Sequence, residues 1–322
     1  MRSVGAAILL LPAAVAAVFH GFTAACAQDW PSRAVTIMVP FGAGGATDGV
    51  ARLVAKHLSE KFGQQFVIEN RAGGAGNVAT AAAAKAKPDG YTLLLGSTGP
   101  MAVNKLIYRT LSFDPGRDFS PIVLIGIVPQ AIVVGKRLPV KSLKELVEHA
   151  KANPGKLNFG NSGVGAMAHI TAVSLARAAG LDVAHVTYRS GAQALTDLLG
   201  GQIDVAFPTY IPQVASMNAL AITATERMEQ MPNVPTVRET GVADIVAGPW
   251  FGLVAPAGTP PRIVERVNRE VNAFIKTKAA RTLFAKIGLR AMGGTPDAMK
   301  SFMAEETTRW KPVVEWAKIR IN

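Results

Sequence analysis

From Asp29 onward the chain alternates short apolar runs with amphipathic stretches, and at five of the junctions it breaks into glycine and other small residues. That alternation constrains the fold more than any other feature. A buried parallel strand is apolar throughout and each crossover helix is apolar on one face, so the pattern predicts repeated β/α units with a parallel sheet. "AVTIMVPF" reads as a buried strand, "DGVARLVAKHLSEKFG" as a helix, "QQFVIENR" as a strand, "NVATAAAAKAKPDG" as a helix ended by Pro-Asp-Gly, and "YTLLLGST" as a third strand.

The run "FSPIVLIGIVPQAIVVGKRLPV" is too long for one ordinary strand and carries Pro129 in its middle. It is expected to cross from one domain to another. A second set of units follows: "KSLKELVEHAKANPG" opens with a capping box, Ser142 to Glu145, and then come "KLNFGNS", a helix from about Gly165, "DVAHVTY", the helix "AQALTDLLGG" and the strand "IDVAFPTY". After "ALAITAT" and a proline-rich loop, the strand "WFGLVAPAG" leads to "TPPRIVERVNREVNAFIK". Thr259 is expected to cap this helix, and Ile263, Val267, Val271 and Phe274 share one face. "ARTLFAKIGL" and "PDAMKSFMAEETTRWKPVVEWAKI" predict two more amphipathic helices. The expected architecture is α/β with two lobes: residues 28–128 form lobe 1, 129–248 lobe 2, and 249–322 return to lobe 1, with crossings near Pro129 and near Gly248-Pro249.

The N-terminus has its own signature. One arginine, an apolar run from Val4 to Phe19 and small residues ending in Ala25-Cys26-Ala27 predict a secretory signal, residues 1–27, cleaved after Ala27. Cys26 is the only cysteine, so the mature chain has neither a disulfide framework nor a thiolate nucleophile. "TAAC" is a poor relative of a lipobox because of its leading Thr. The formal charge is +12, and losing Arg2 with the signal leaves +11. The basic residues are scattered, and secretion separates the chain from nucleic acid, so no nucleic-acid partner is expected; a diffuse positive field favours acidic solutes instead.

The five glycine-rich junctions are "VPFGAGGATD", "NRAGGAGNVAT", "GSTGPMAVN", "GNSGVGAMAH" and "YRSGAQAL". In an open α/β sheet such turns lie at the carboxyl ends of the strands, so within each lobe they share one edge, and two facing edges make a cleft. A dinucleotide reading fails. G-x-G-x-x-A occurs at both Gly74 and Gly163, with no acidic residue in the expected register after either, and no lysine follows a glycine turn in the manner of a triphosphate loop. A hydrolase reading has little more. Ser162 sits where a nucleophile elbow would, yet Val164 replaces the final glycine of G-x-S-x-G, and His169 lies about two helical turns further on. His57, His149 and His185 fall in helices or a strand where packing roles suffice, and no paired Cys/His spacing supports a metal. No cofactor is expected.

Binding remains. Small residues let a solute approach the backbone, and N–H groups at helix starts suit a carboxylate without a dedicated arginine. Each glycine taken alone is accounted for by turn geometry; the case rests on five turns sharing one edge of each sheet. Asp48, at a helix start, is expected to support its turn rather than touch an anion that it would repel. Phe41 and Tyr188 stand at turn mouths, and a buried Tyr188 hydroxyl would need a partner. The residues name no counter-charged side chain for the far end of a ligand.

"PFGAGGATDGVAR", "VIENRAGGAGNVAT", "PDGYTLLLGS", "LNFGNSGVGAMAHI", "VTYRSGAQALTDLLGGQIDVAF", "MPNVPTVRETG" and "FGLVAPAGTP" together resemble the substrate-binding proteins of tripartite tricarboxylate transporters, the Bug-type periplasmic receptors. The resemblance runs over the whole mature chain in order. It implies a type II periplasmic-binding-protein fold, two α/β lobes on a two-strand hinge, closing on a small organic acid in the periplasm as a monomer. It also implies hand-over to a membrane permease with one large and one small subunit; a receptor feeding a sensor kinase would have the same site, and a secreted hydrolase using Ser162 is the alternative of another class. The ligand-binding residues expected on this basis are Phe41, Ala43, Gly44, Gly45, Gly76, Ser97 and Thr98 in lobe 1, with Asn161, Ser162, Ala166, His169, Tyr188, Gly191, Ala192 and Thr209 in lobe 2. Two departures stand out: a shortened segment between "YIPQVASM" and "NALAITATER", and Pro208 where an acidic residue is common.

Overall fold

A computed structural model describes residues 30–321; the expected signal peptide and Cys26 lie outside the described residues. The first lobe begins with β1 (Val35–Val39), apolar and almost wholly buried, which pairs in parallel with β2 (Phe66–Asn70) and β3 (Thr92–Ser97). Between them run α1 (Ala46–Phe62) and α2 (Asn77–Ala84) as crossovers. A π-helical turn, Gly99–Val103, then runs straight into α3 (Asn104–Ile107), which the sequence patterns do not signal.

The long run carrying Pro129 does cross between lobes. It gives β4 (Phe119–Ile127) to the first sheet and β5 (Ala131–Val134) to the second. The second lobe adds α4 (Leu143–Ala152), β6 (Asn158–Asn161), α5 (Met167–Ala179), β7 (Ala184–Thr187), α6 (Gly191–Gly200), β8 (Val205–Ala206) and β9 (Ala219–Ile222). The chain then returns with β10 (Trp250–Pro256), α7 (Pro261–Ile275), α8 (Lys278–Lys286), β11 (Arg290–Ala291) and α9 (Pro296–Trp316). The sheets are ordered β11-β4-β10-β3-β1-β2 and β7-β6-β8-β5-β9.

Both sheets are mixed rather than parallel. β10 re-enters from the second lobe and slots between β3 and β4, antiparallel to each, while β5 enters from the first lobe and runs antiparallel to β8 and β9. A strand that crosses a hinge arrives from the far end of the sheet, so it opposes the β/α units already laid down. "IDVAFPTY" shortens to the two residues of β8 because Pro208 has no N–H to give: Ala131 N–H reaches the Pro208 carbonyl at 2.9 Å, and the reciprocal bond cannot form.

The two crossings pair with each other. Val128 N–H donates to the Pro249 carbonyl at 2.9 Å, and Thr223 ties both segments together, its hydroxyl accepting from Gln130 N–H at 2.9 Å and donating to the Ala247 carbonyl at 2.6 Å. A Cβ at Gly248 would stand 2.1 Å from the Val128 oxygen, so only glycine lets the strands come this close.

Local signals are partly redirected. Ser142 caps α4 through Glu145 N–H at 3.2 Å, but the Glu145 carboxylate turns to Lys141 N–H at 2.8 Å instead of closing the box on Ser142. Thr259 does not cap α7; its hydroxyl donates to the Pro256 carbonyl, and Pro260 occupies the N-cap with Pro261 in the first turn, where a missing N–H costs nothing. The face Ile263, Val267, Val271 and Phe274 is buried, and α7 packs on β4 and α1. At roughly 1.5–3 kcal/mol for each such side chain removed from water, that stripe is what holds α7 in place.

The last helix serves both lobes. Met299 and Met303 of α9 pack with Leu94 and Trp250 in the first-lobe core, whereas Trp310, Val313 and Val314 pack with Val103, Phe159 and Ile170 in the second-lobe core. Between these halves the Glu306 carboxylate is buried and accepts from the indole N–H groups of Trp250 and Trp310, each at 3.1 Å, with Arg309 ion-paired to it. Burial pushes the Glu306 carboxyl up, against the pull of Arg309 and the two indoles.

Candidate ligand-binding cleft

A cavity of about 1020 Å³ lies between the lobes, and each of the five glycine-rich turns reaches its wall. Among the described residues, the wall holds no aspartate or glutamate. Two helix N-termini open on it without a side-chain cap: α1, whose N-cap is Gly45, and α5, whose N-cap is Ala166. Their first-turn amides carry the positive end of each helix dipole, and Gly45 and Ala166 give them no side-chain cap. By contrast α6 is capped by Ser190, whose hydroxyl accepts from Gln193 N–H at 3.3 Å.

The first-lobe turn is held from behind. Asp48 is buried and its carboxylate accepts from Gly44 N–H at 2.9 Å, Arg52 Nε at 2.9 Å and Asn70 Nδ2 at 3.0 Å. The Arg52 hydrogen bond, with those from Gly44 and Asn70, holds its pKa at about 2 against the opposing effect of burial. Asn70 Nδ2 also donates to the Phe41 carbonyl at 3.1 Å, so one carboxylate and one amide fix Phe41 to Gly44. Gly44 has φ +84°, a left-handed conformation that a side chain would strain. Asp48 itself is not in the wall, which agrees with a supporting role.

At the end of β3, Ser97 is 4% exposed, opens on the cavity, and its hydroxyl has no protein partner. A buried hydroxyl left unpaired is costly, so the Ser97 hydroxyl is suited to donate to an anionic oxygen. The neighbouring Thr98 hydroxyl is already occupied, accepting from Trp250 N–H at 2.8 Å.

In the second lobe, His169 shapes the turn at the start of α5. Its Nδ1 accepts from Gly165 N–H at 3.1 Å, and its ring meets His185 edge-on at 5.5 Å between centroids. Burial, with a smaller contribution from His185, lowers its pKa to about 4, so it is neutral at ordinary pH. It is not among the wall residues and its Nδ1 is engaged by Gly165, so Ser162 has no hydrogen-bonded base in it. Gly165, at φ +75°, holds a left-handed conformation that a side chain would strain, and a Cβ there would press on the Ile107 side chain, 2.4 Å away.

The wall thus brings together Phe41, Gly44, Gly45, Ser97, Thr98, Ser162, Ala166 and Thr209. Ala43, Gly76, Asn161, His169, Tyr188, Gly191 and Ala192 stand outside it. Gly76 is packed against Pro40 and Pro100; Asn161 is buried behind the turn, with Oδ1 accepting from Gly163 N–H at 3.3 Å and Nδ2 unpartnered. Tyr188 finds its hydroxyl partner in Asp197, and burial first and that carboxylate second raise its pKa. Sequence reasoning missed Asn104, Gln130, Arg189, Tyr210 and Lys286. Two of these, Arg189 and Lys286, are cationic. Arg189 follows Tyr188 in a turn already singled out, whereas Lys286 ends α8 and gives no local signal. Among the described residues, no group of His, Cys, Asp or Glu could hold a metal ion.

The family model described as "Tripartite tricarboxylate transporter family receptor" matches residues 50–319. Protein BugT of Bordetella pertussis is 36% identical over 294 residues, covering 89% of this chain and 90% of that protein. Among solved structures, R. palustris Rpa4515 with adipate matches with a TM-score of 0.80 and 37% identity, covering 91% of this chain and 99% of that one. MatC from Rhodopseudomonas palustris with bound malate matches with a TM-score of 0.74 and 32% identity, covering 88% of this chain and 99% of that one.

Proposed function

Because the chain belongs to the tripartite tricarboxylate transporter receptor family, we propose that it captures a small carboxylate between its lobes and delivers it to a membrane permease of that system. The single observation that carries this reading is the cavity wall. Two helix N-termini without a side-chain cap, one from each lobe, open on a space that, among the described residues, has no carboxylate of its own. A ligand carboxylate accepts from both sides only when the lobes are together, so its binding energy shifts the hinge equilibrium toward the closed form. Support for the ligand class comes from the relatives with adipate and malate. In this reading the protein is a periplasmic monomer that performs no chemistry on its ligand, and the closed form is the signal to the permease.

Tryptophan fluorescence and melting temperature, followed against di- and tricarboxylates, aromatic acids and amino acids, test the proposal. Protein stripped of co-purified ligand is expected to respond to at least one acid. A flat response to the whole panel would count against it.

A further inference from the structure

Two unlike joints hold the lobes together on either flank of the hinge. On one flank Val103 of the π-helical turn and Ile107 of α3 share a buried apolar cluster with Met167 and Ile170 of α5, and α9 packs on α5 through the same cluster. Met101 and Ala102, immediately before, belong instead to the first-lobe core, as do Met299 and Met303 of α9. Two continuous helical segments therefore pass from one core into the other. Parting the lobes on this flank would put buried apolar side chains into water.

The other joint is polar. Sheet order sets β11 outside β4 and β3 outside β10, with the two hinge strands between them. Arg290 of β11 pairs with Glu226 of the second lobe at 2.8 Å and donates to the Thr225 hydroxyl, and Gln230 Nε2 donates to the Ala285 carbonyl of α8 at 3.1 Å. The two ion-paired side chains are 41% and 69% exposed, so water and salt weaken the pair. Gly288, at φ +64°, lets Tyr210 of the second lobe lie against the end of α8, where a Cβ would stand 2.5 Å from the Tyr210 Cβ. α8 stands between two spaces: Leu283, Lys286 and Ile287 face the main cavity, while Phe284, Ala285 and Gly288 line a second cavity of about 300 Å³ beside Pro129 and Met228.

We propose that α8 and β11 are the gate of the main cavity, latched to the second lobe by Arg290, Glu226 and Gln230, and that the lobes part on this flank while turning about the hinge strands and the apolar seam. The three latch residues lie outside the main cavity wall. They set how often the closed form opens, and so how fast a solute enters and leaves. The gate rests on the receptor reading above for its purpose, but its motion belongs to the ligand-free protein as well.

Spin-label pairs read the two flanks separately. Cys26, the only cysteine, lies in the expected signal, so introduced cysteines carry the labels. Glu229→Cys with Arg281→Cys spans the latch flank, both positions being exposed at the second cavity, and Lys105→Cys with Val164→Cys spans the seam flank. In ligand-free protein Glu226→Arg, and separately Arg290→Glu, is expected to shift the first distance distribution to longer values and leave the second in place. The charge-swapped pair, Glu226→Arg with Arg290→Glu, is expected to restore the wild-type distribution. In stopped-flow measurements, hexanedioate is expected to leave either single variant about two- to fivefold faster than wild type, the factor that an exposed ion pair can supply, and the swapped pair at the wild-type rate. A seam distance that lengthens, a latch distance that stays put in both single variants, unchanged release, or no restoration by the swap would overturn the gate and leave the receptor standing. Movement on the latch flank in a protein that binds none of the acids tested would overturn the receptor reading and leave the gate.

Discussion

Asp48→Asn removes one charge and almost no volume from behind the turn Phe41 to Gly45, and its cost follows from the structure. The folded carboxyl has its pKa lowered from 3.8 to about 2. At roughly 1.4 kcal/mol per unit, that corresponds to at most about 2.4 kcal/mol of stability at neutral pH. Arg52, the largest contributor, is 56% exposed, so water screens part of the effect and about 1–2 kcal/mol is expected. For a chain of this length that lowers the melting temperature by about 2–4 °C. The sign of the pH dependence is fixed: a depressed acid stabilises fully above its unfolded pKa of 3.8 and loses that contribution as pH falls toward about 2. Urea unfolding of wild type and variant should therefore show a constant gap from pH 7 to about 5 that narrows below pH 4. Asparagine keeps one acceptor oxygen: placed where Asp48 Oδ2 accepts from Gly44 N–H and Arg52 Nε, it leaves an amide N–H₂ facing the Asn70 Nδ2 donor, so affinity for an acid in the cleft should fall as the turn loosens. A gap below about 0.5 kcal/mol at pH 7, or one equally large at pH 2.5, would refute the reasoning.

Three further outcomes are expected. Gly248→Ala drives a methyl against the Val128 carbonyl, 2.1 Å away, and should cost about 2 kcal/mol or more in urea while impairing ligand-induced compaction in solution scattering. His169→Phe leaves Gly165 N–H without an acceptor and should cost about 1–3 kcal/mol. In the wild type the neutral ring stabilises the fold above pH 6.5, and that contribution is lost as pH falls toward about 4; the variant should lack this slope in a pH series of melts. Glu306→Leu strands two buried indole N–H groups and should cost about 2–4 kcal/mol, whereas Glu306→Gln keeps an acceptor and should cost clearly less by thermal melting.

Strands and helices with a clear apolar period were legible in the sequence, and so was the crossing at Pro129, because burial writes itself into local pattern. Strand direction was not. β10 is as apolar as β3, and nothing in "WFGLVAPAG" says that it arrives from the other lobe. The helical path through Gly99–Val103 hid behind glycine and proline, its four buried residues from Pro100 to Val103 decided by packing against α9. At the site, Phe41, Gly44 and Gly45 could be named because a strand end, glycines and a helix start are contiguous. Tyr188 could not be excluded, since its partner Asp197 lies two helical turns along α6. Lys286 was invisible for the same kind of reason: it belongs to an amphipathic helix whose sequence describes its own buried face and not the cavity its end looks into.

The division of α9 between two cores bears on how the molecule is made. Ribosomal synthesis delivers the second lobe's strands and helices in one stretch, yet that lobe's core stays open until Trp310, Val313, Val314 and Ile319 have been made. The first lobe waits as well, since β10 must return before β3 and β4 have a neighbour between them. Neither half can therefore mature ahead of the other during chain growth, and expression of either alone yields a protein with an unfinished interior.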